Sequence, residues 1–309
     1  MKKTFRMVGA AALCAVLMPA LSSCGSDDDD EPNGGPDIPG IEEEGPSGVS
    51  TPVRLTSIGG VNIYYDDKGR VERIGNYVEI DYSKGTIGLE DGEMDIKFNG
   101  KGYVSEISGS WDYGVDDGRA KGSGKMKFTY NGSGNLVRCN SSSNETYYED
   151  GYKYSYSETF TMDAEWKDGN LEKIEATAVE KEDGETDRDY MVTTYAYGNQ
   201  INKYYQMPIA LSYGFFDDEE ISVLAAAGLF GIGSKYLPSA LAEVEDSYTD
   251  SYRISYTLND NGSIAREYFD NSAYNWNYSE ITRGAFDAAP AKKADVRSIF
   301  VNKGRFDRK

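Results

Sequence analysis

The feature that most constrains the fold is a short pattern that recurs five times between residues 61 and 269. In each copy, apolar and polar residues alternate up to a turn rich in Asp, Asn and Gly, and a second strand-like run follows. A period of two puts successive side chains on opposite faces, so each copy predicts an antiparallel hairpin with one buried and one solvated face. The copies read VNIYYDDKGRVERI, MDIKFNGKGYVSEI, MKFTYNGSGNLVRC, MDAEWKDGNLEKI and ISYTLNDNGSIAREY.

Four of the turns end in a glycine, namely Gly69, Gly102, Gly134 and Gly262. A type I turn followed by a left-handed residue needs a positive φ at that last position, which glycine adopts at least cost. We therefore expect β-branched substitutions there to be poorly tolerated. On the first return strand, Val71 and Ile74 are three residues apart instead of two, which predicts a β-bulge.

The spacing of the hairpins is uneven, which predicts a curved antiparallel meander or a partly closed barrel and not a stack of identical units. One short helix is expected near residues 218–230. Asp217 and Asp218 can cap its start, an apolar stripe follows, and Gly231 and Gly233 are expected to end it. The sequence therefore predicts an all-β domain over residues 51–280 that contains one short helix.

The first residues of the chain predict export and lipidation. Basic residues precede an apolar run of about 15 residues, shorter than the roughly 20 that span a bilayer, so residues 1–23 are predicted to be a signal peptide. The segment Leu21-Ser22-Ser23-Cys24 resembles a bacterial lipobox. That resemblance implies cleavage between Ser23 and Cys24 and acylation of Cys24, and several acyl chains on one residue give durable membrane attachment.

Residues 24–50 are rich in Asp, Glu, Gly, Pro and Ser and are predicted to be a disordered acidic tether. The acidic run from Gly25 to Glu31 resembles the surface-export signal of Bacteroidota lipoproteins, and a plain solvated spacer is the alternative. The expected location is the outer membrane, with a periplasmic and an external orientation both open. Residues 281–309 are predicted to form a basic C-terminal tail.

Composition excludes several classes of function. The formal charge is −20, and loss of the three cations of the signal peptide makes it about −23, which argues against nucleic acid and anionic lipid as partners. Histidine is absent, so Ser-His-Asp and Cys-His sites and the common zinc sites are excluded. Cys139 is the one cysteine left beyond the lipobox, and we expect it to be a buried structural thiol. No cofactor or metal is predicted.

Two motif-like segments are better explained by structure. GLFGIGSK, at 228–235, imitates a phosphate loop, but its Ser-Lys order is reversed and it follows a predicted helix instead of opening one. The Asp- and Asn-rich turns lack the full ligand spacing of a calcium loop. A pair of carboxylates for glycoside hydrolysis stays open in principle, although the sequence does not single out such a pair.

Two rows of aromatic residues at alternate positions are candidates for a binding surface. Rings with polar neighbours can stack on the sugars of a glycan, while Tyr and Trp also favour strands in which they are half-buried. Both interpretations stay open. The candidate glycan-stacking residues are Tyr152, Tyr154 and Tyr156 in one row and Tyr274, Trp276 and Tyr278 in the other.

Three segments carry a family resemblance: YAYGNQINKYYQMPIALSYG, LFGIGSKYLPSALAEVE and YTLNDNGSIAREYF. Over about residues 52–280 the chain resembles Bacteroidota lipoproteins that are grouped as a domain of unknown function with a porin-like fold, and single hairpins look like Tyr-Asp repeats. The resemblance implies an all-β architecture and supplies no activity or catalytic residue. Because the solvated faces carry charges such as Lys125, Asp163 and Glu165, the strands are not expected to span a membrane.

These features predict a lipid-anchored outer-membrane lipoprotein that serves as a binding or structural module without catalysis. Its expected partner is the outer membrane, through the acyl chains of Cys24. A surface glycan-binding protein that uses the two aromatic rows and a carboxylate-based glycosidase are the alternatives.

Overall fold

The computed structural model describes residues 53–280, with short gaps at 77, 90–91, 116–117, 150–151, 183, 217–218 and 246–247. The predicted signal peptide, the lipidation site Cys24, the acidic tether and the basic C-terminal tail lie outside the described residues.

The described part of the chain contains seventeen strands and two helices. The elements are β1 (Val53–Ile58), β2 (Val61–Tyr65), β3 (Val71–Ile74), β4 (Val78–Asp81), β5 (Thr86–Leu89), β6 (Gly92–Phe98), β7 (Val104–Val115), β8 (Gly118–Tyr130), β9 (Leu136–Glu149), β10 (Tyr152–Lys167), β11 (Asn170–Glu182), β12 (Glu185–Ile201), α1 (Ile209–Tyr213), α2 (Glu219–Ala226), β13 (Tyr236–Glu245), β14 (Tyr248–Arg253), β15 (Ser255–Leu258), β16 (Ile264–Phe269) and β17 (Ser272–Glu280).

The strands form a nearly closed barrel with one seam. Each strand from β1 to β13 pairs antiparallel with the next along the chain, β15 pairs with β16, β16 with β17, and β17 with β1. The seam lies between β14 and β15, which are separated by Ile254 alone; its N–H donates to the carbonyl of Ser239 at 2.9 Å. One bent strand thus pairs first with β13 and then with β16. The prediction of a curved meander or partly closed barrel is confirmed.

The four predicted glycine turns share one geometry. Each glycine N–H donates to the carbonyl three residues earlier at 2.9–3.0 Å, and φ at the four glycines lies between 78° and 93°. In three of the turns the opening Asp or Asn also accepts backbone N–H groups through its side chain, as Asn131 does from Ser133 and Asn135 at 3.0 Å. These local bonds explain why the same turn sequence recurs.

The predicted β-bulge is also confirmed. Tyr65 faces Val71 while Tyr64 faces Arg73, so the return strand β3 carries one extra residue. Register shifts beside the turn occur in the other three hairpins as well. A bulge bends its strand and increases the local twist, and both effects help a sheet to curve into a barrel.

The predicted helix is α2, and it ends earlier than expected. Gly228 has a φ of 90°, its N–H donates to the carbonyl of Ala225, and the N–H of Leu229 donates to that of Leu224. This pair of bonds is a Schellman motif, in which a left-handed glycine ends the helix. The second helix, α1, was not predicted. The predicted cap at residues 217 and 218 lies outside the described residues.

The expected role of Gly231 and Gly233 as helix ends was wrong, because both glycines instead allow close backbone contacts. A Cβ on Gly231 would lie 2.4 Å from the carbonyl oxygen of Gly134, and a Cβ on Gly233 would lie 1.9 Å from that of Gln206. Any larger side chain would push this segment away from the backbone it touches.

Residues 202–216 and 219–235, which we call the plug, fill one end of the barrel. Every residue from 221 to 234 is buried, so α2 from Ile221 onward is enclosed on all sides and not along one stripe. The ring of Phe230 lies 4.9 Å from that of Phe128 on the inner face of β8 and 4.8 Å from that of Phe216 in the plug. The barrel therefore has a solid apolar core at the end where the glycine turns lie.

Hydrogen bonds tie the plug to several strands of the wall. The Ser234 hydroxyl accepts the N–H of Leu171 at 3.0 Å and bonds the Tyr197 hydroxyl at 2.8 Å. The N–H of Val104 donates to the carbonyl of Leu229 at 2.8 Å. Ser234, from the segment that imitates a phosphate loop, is thus a fully buried anchor. Among the described residues, neither helix has the length and apolarity needed to cross a membrane.

Candidate functional site

Beyond the plug, the inner face of the barrel changes from apolar to acidic. On β10, the buried residues Met162 and Phe160 lie at the level of the plug, and Glu158 follows on the same face. On β11, Ala178 is followed in the same way by Glu180, which lies directly opposite Glu158. Because alternate residues of a strand share a face, these acidic side chains continue the core rows.

We call this region the acidic inner surface and assign its members from the strand register. It comprises Trp111, Ser143, Glu145, Tyr147, Tyr156, Glu158, Glu180, Glu182, Glu185, Asp187, Asp189, Glu243, Glu245 and Asp250.

Glu145 is the centre of a hydrogen-bonded group on this surface. It is 3% exposed, it accepts the indole N–H of Trp111 at 3.0 Å, and it accepts the hydroxyl of Tyr147. The indole ring of Trp111 lies against Gly122, where an added Cβ would be 2.4 Å from a ring carbon. Glycine at this position of β8 therefore allows Trp111 to reach across to the carboxylate on β9.

Tyr156 connects a second group of carboxylates. Its hydroxyl donates to Glu158 at 3.4 Å. Burial raises the pKa of Tyr156, and the neighbouring carboxylates of Glu158 and Glu180 raise it further. The hydroxyl therefore stays protonated and remains a donor to the carboxylates around it.

Ser143 places a buried hydroxyl on the same surface, beside Glu158. It is 6% exposed, and its hydroxyl oxygen has no hydrogen-bond partner in the structure. In the register it faces Glu158 on one side and Gly124 on the other. A buried hydroxyl without a partner costs about 1–3 kcal/mol, so the position favours a polar group that is supplied from outside the chain.

The charges of the two faces are arranged in opposite ways. On the outer face, acids lie beside bases: Asp163 faces Arg138, and Glu165 faces Lys173. Glu175, which faces Asp163, also lies 3.3 Å from Lys173. On the inner face, acids stand opposite acids: Glu158 faces Glu180, Glu180 faces Asp187, Glu182 faces Glu185, and Glu243 faces Asp250. Like charges directly opposite each other destabilise a sheet, so the inner arrangement is not explained by stability.

The basic residues of these strands are also confined to one face. By the register, the lysines and arginines in the described parts of β7–β14 alternate onto the outer face. They are Arg119, Lys121, Lys125, Lys127, Arg138, Lys153, Lys167, Lys173, Lys181, Arg188 and Arg253. The outer face is therefore polar and of mixed charge, and the inner face beyond the plug is acidic.

The first aromatic row predicted from the sequence lies at the open end of this surface. Tyr152, Tyr154 and Tyr156 occupy alternate positions of β10, and exposure falls from 67% at Tyr152 to 40% at Tyr154, with Tyr156 half-buried. The row therefore leads from solvent toward the buried carboxylates, and its two outer rings are accessible.

The second aromatic row packs into the core. Trp276 is 3% exposed, and Tyr274 and Tyr278 are half-buried. The Tyr278 hydroxyl accepts a hydrogen bond from the side-chain amide of Gln206, in the plug, at 2.7 Å. A sugar ring could not stack on Trp276 unless the barrel opened, so the glycan hypothesis is narrowed to the first row.

Cys139 is buried, and burial raises its thiol pKa to about 12. A thiol with such a pKa is protonated at neutral pH and is a poor nucleophile. The predicted structural thiol is confirmed.

Glu267 is a buried acid outside the acidic inner surface. Its carboxylate accepts the N–H groups of Ile209 and Ala210 at 2.9 and 2.8 Å, at the start of α1. Burial raises its pKa to about 7, although the two N–H donors favour the charged form. Glu267 thus joins β16 to the plug and is engaged by the backbone.

Within residues 53–280 as described, no group of three or more acidic or cysteine side chains is arranged to hold a metal ion. The carboxylates and hydroxyls of the inner surface can hydrogen-bond to an organic ligand, and its rings can stack on one. These features define a class: an antiparallel barrel filled at one end by its own chain, with an acidic surface inside the other end.

Comparison with solved structures finds similar chains that include two porin-like proteins. One, from Bacteroides vulgatus, has 15% identity and a TM-score of 0.49, and the match covers 74% of this chain and 100% of that one. The other, from Bacteroides uniformis, has 14% identity and a TM-score of 0.24, and the match covers 63% and 90% of the two chains. Neither likeness carries a conclusion about the activity or ligand of this chain.

No protein-family model matches the sequence, and no curated protein matches it. The family resemblance of the three quoted segments therefore stays a prediction.

Proposed function

We propose that this chain is a lipid-anchored outer-membrane protein whose barrel is a binding module without catalytic activity. The acidic inner surface is its binding site, and Cys24 carries the anchor. The observation that carries the proposal is the row of buried carboxylates beyond the plug, at positions where the alternation of the strands calls for core residues.

The anchor is supported by the sequence. The signal peptide, the lipobox and the acidic segment after Cys24 all belong to exported lipoproteins. Outward ion pairs such as Arg138 with Asp163, at 2.6 Å, favour a barrel that stands in water beside the membrane over one whose wall contacts lipid.

Replacement of Cys24 tests the anchor. We expect Cys24→Ser to move the protein from the membrane pellet to the soluble fraction, and Cys139→Ser, which removes a buried thiol instead, to leave it in the pellet. Continued membrane association of Cys24→Ser would exclude the acyl anchor. Proteinase treatment of intact cells distinguishes external from periplasmic facing.

The absence of catalysis is part of the proposal. Glu158 and Glu180 form the kind of carboxylate pair that a glycosidase uses, but Glu158 is only 3% exposed. A glycosidic bond carries a bulky sugar ring on each side, so it would not reach between the two groups without a large opening of the barrel. We therefore expect no hydrolysis of host or plant polysaccharides between about pH 4 and 8, and product release that is lost in Glu158→Gln would contradict this.

A second candidate function is capture of a neutral glycan by Tyr152 and Tyr154, which is favoured by the exposure of these two rings. The Tyr152→Ala/Tyr154→Ala variant should then lose binding on a glycan array, whereas Tyr190→Ala, which removes an exposed ring on the outer face of β12, should keep it. An array without hits for the unmodified protein removes this candidate.

A further inference from the structure

We propose that the acidic inner surface takes a linear polyamine, an alkyl chain with several ammonium groups, held between carboxylates of neighbouring strands. This inference rests on the proposed binding function and names the class of ligand. It is carried by three independent features of the described strands: the pairing of like charges, the Ser143 hydroxyl and the spacing of the carboxylates.

The first feature is the repeated placement of acids opposite acids. Glu180, for example, faces Glu158 on one neighbouring strand and Asp187 on the other. Such contacts repel each other when both groups are charged, and a bound cation between them reverses the sign of the interaction. On the outer face of β10 and β11 an acid is paired with a base of the protein itself, since Glu165 lies 3.3 Å from Lys173.

The second feature is the buried hydroxyl of Ser143. An ammonium group donates three hydrogen bonds and accepts none, so it needs acceptors on several sides. Ser143, which faces Glu158 in the register, offers an oxygen atom without a partner at the buried end of the acidic surface. A hydroxyl and a carboxylate on adjacent strands can thus share one ammonium group.

The third feature is the spacing and the gradient of exposure. Successive acids on one face of a strand, such as Glu180 and Glu182, are about 6.6 Å apart along the strand. That distance is comparable to the separation of neighbouring nitrogens in a short-chain polyamine. The acids become more exposed toward the open end, from buried Glu158 through half-buried Glu180 to exposed Glu182, so a linear ligand can enter end first.

The aromatic residues suit an organic cation better than a bare metal ion. Trp111 and Tyr156 border the carboxylates, and aromatic faces attract alkylammonium groups as well as packing against their methylenes.

The test is calorimetric titration of the mature full-length chain, carrying Cys24→Ser for solubility, with spermidine. We expect saturable binding at one site per chain. Glu158→Gln/Glu180→Gln should weaken this binding at least tenfold. The matched control is Glu165→Gln/Glu175→Gln, which makes the same charge change on the outer face of the same two strands and should change the dissociation constant less than twofold.

Ser143→Ala adds a test that leaves the net charge unchanged, with an expected weakening of about threefold or more. If the inner double variant does not fold, the single variants Glu180→Gln, on the inner face, and Glu165→Gln, on the outer face, can be compared. We expect Glu180→Gln to weaken spermidine binding at least threefold and Glu165→Gln to leave it unchanged.

Two results would overturn the proposal. One is the absence of saturable spermidine binding, and the other is an equal loss of affinity in the inner and outer variants, which would indicate nonspecific attraction to a negative protein. Binding of a neutral oligosaccharide without binding of spermidine would refute the polyamine assignment and leave the proposed binding function intact. Failure of both ligands would count against the binding function itself.

Discussion

Glu267 joins the wall of the barrel to the plug through the N–H groups of Ile209 and Ala210, and its burial makes this contact sensitive to pH. Burial raises its pKa from the ordinary value of 4.5 to about 7. The folded protein therefore holds the proton more tightly than the unfolded chain does. The stabilising contribution of the protonated group is complete below pH 4.5 and is lost as the pH rises through about 7, a change of about 3 kcal/mol.

We expect Glu267→Gln to remove this dependence. Between pH 5 and 8 the unfolding free energy from urea titration should fall by about 2–3 kcal/mol more in the unmodified protein than in the variant. Parallel curves for the two proteins would show that Glu267 does not have a raised pKa in the folded state.

Glu106 provides a control, because its pKa is shifted in the opposite direction. A hydrogen bond from Lys125 lowers its pKa, and the ion pair measures 2.8 Å. The contribution of Glu106 is therefore present above the unfolded pKa and is lost as the pH falls through the folded one. In Glu106→Gln, the unfolding free energy should fall less on acidification than in the unmodified protein. Its pH dependence near pH 7 should be unchanged.

Ser234 ties the plug to β11 and β12 through Leu171 and Tyr197. In Ser234→Ala the buried N–H of Leu171 loses its acceptor, and we expect the unfolding free energy to fall by about 1–3 kcal/mol. The control is Ser239→Ala, an exposed serine on β13, which should change stability by less than about 0.5 kcal/mol. Equal effects of the two substitutions would contradict the anchoring role of Ser234.

At the scale of single elements, the glycine turns determine how the strands begin and end. Gly134 has a φ of 93°, and a Cβ there would lie 3.1 Å from the ring of Tyr103. Gly132, in the same turn, has open space around an added Cβ. We expect Gly134→Ala to cost about 1–2 kcal/mol and Gly132→Ala to be neutral or stabilising by a few tenths of a kcal/mol.

Thermal unfolding of the two glycine variants checks this prediction. A loss of stability in Gly132→Ala as large as that in Gly134→Ala would mean that the left-handed conformation is not what the turn requires.

The elements that the sequence predicts well are those determined by neighbours in the chain. Turns such as 131–134 and the bulge between Val71 and Arg73 follow from residues within one hairpin. The helix was predicted in the right place but as an amphipathic one, because a period near 3.6 does not distinguish a surface helix from one enclosed by a barrel. Its burial depends on strands that are distant in sequence.

The binding surface was only partly predictable for the same reason. Tyr152, Tyr154 and Tyr156 were identified from their alternation, whereas Glu145 and Glu158 were not. A signal was present for Glu158, since it continues the row of Met162 and Phe160 and thus places an acid at a core position. The opposition of like charges, however, is visible only once the register between strands is known.

At the scale of the whole molecule, the chain separates three environments. The plug and the glycine turns form an apolar end, the acidic inner surface occupies the other end, and the outer face pairs its charges. A high net negative charge destabilises a compact state through self-repulsion, and pairing on the outer face relieves part of this. The placement of acids opposite acids on the inner face is what makes the interior a candidate for ligand binding.

The chain fills its own barrel at one end beneath an acidic interior, and amide hydrogen exchange of the mature protein tests this arrangement. We expect the amides of residues 221–234 to exchange as slowly as those in the centres of β8–β11, because all are buried in one core. Exchange of the plug within seconds, while those strands stay protected, would contradict it.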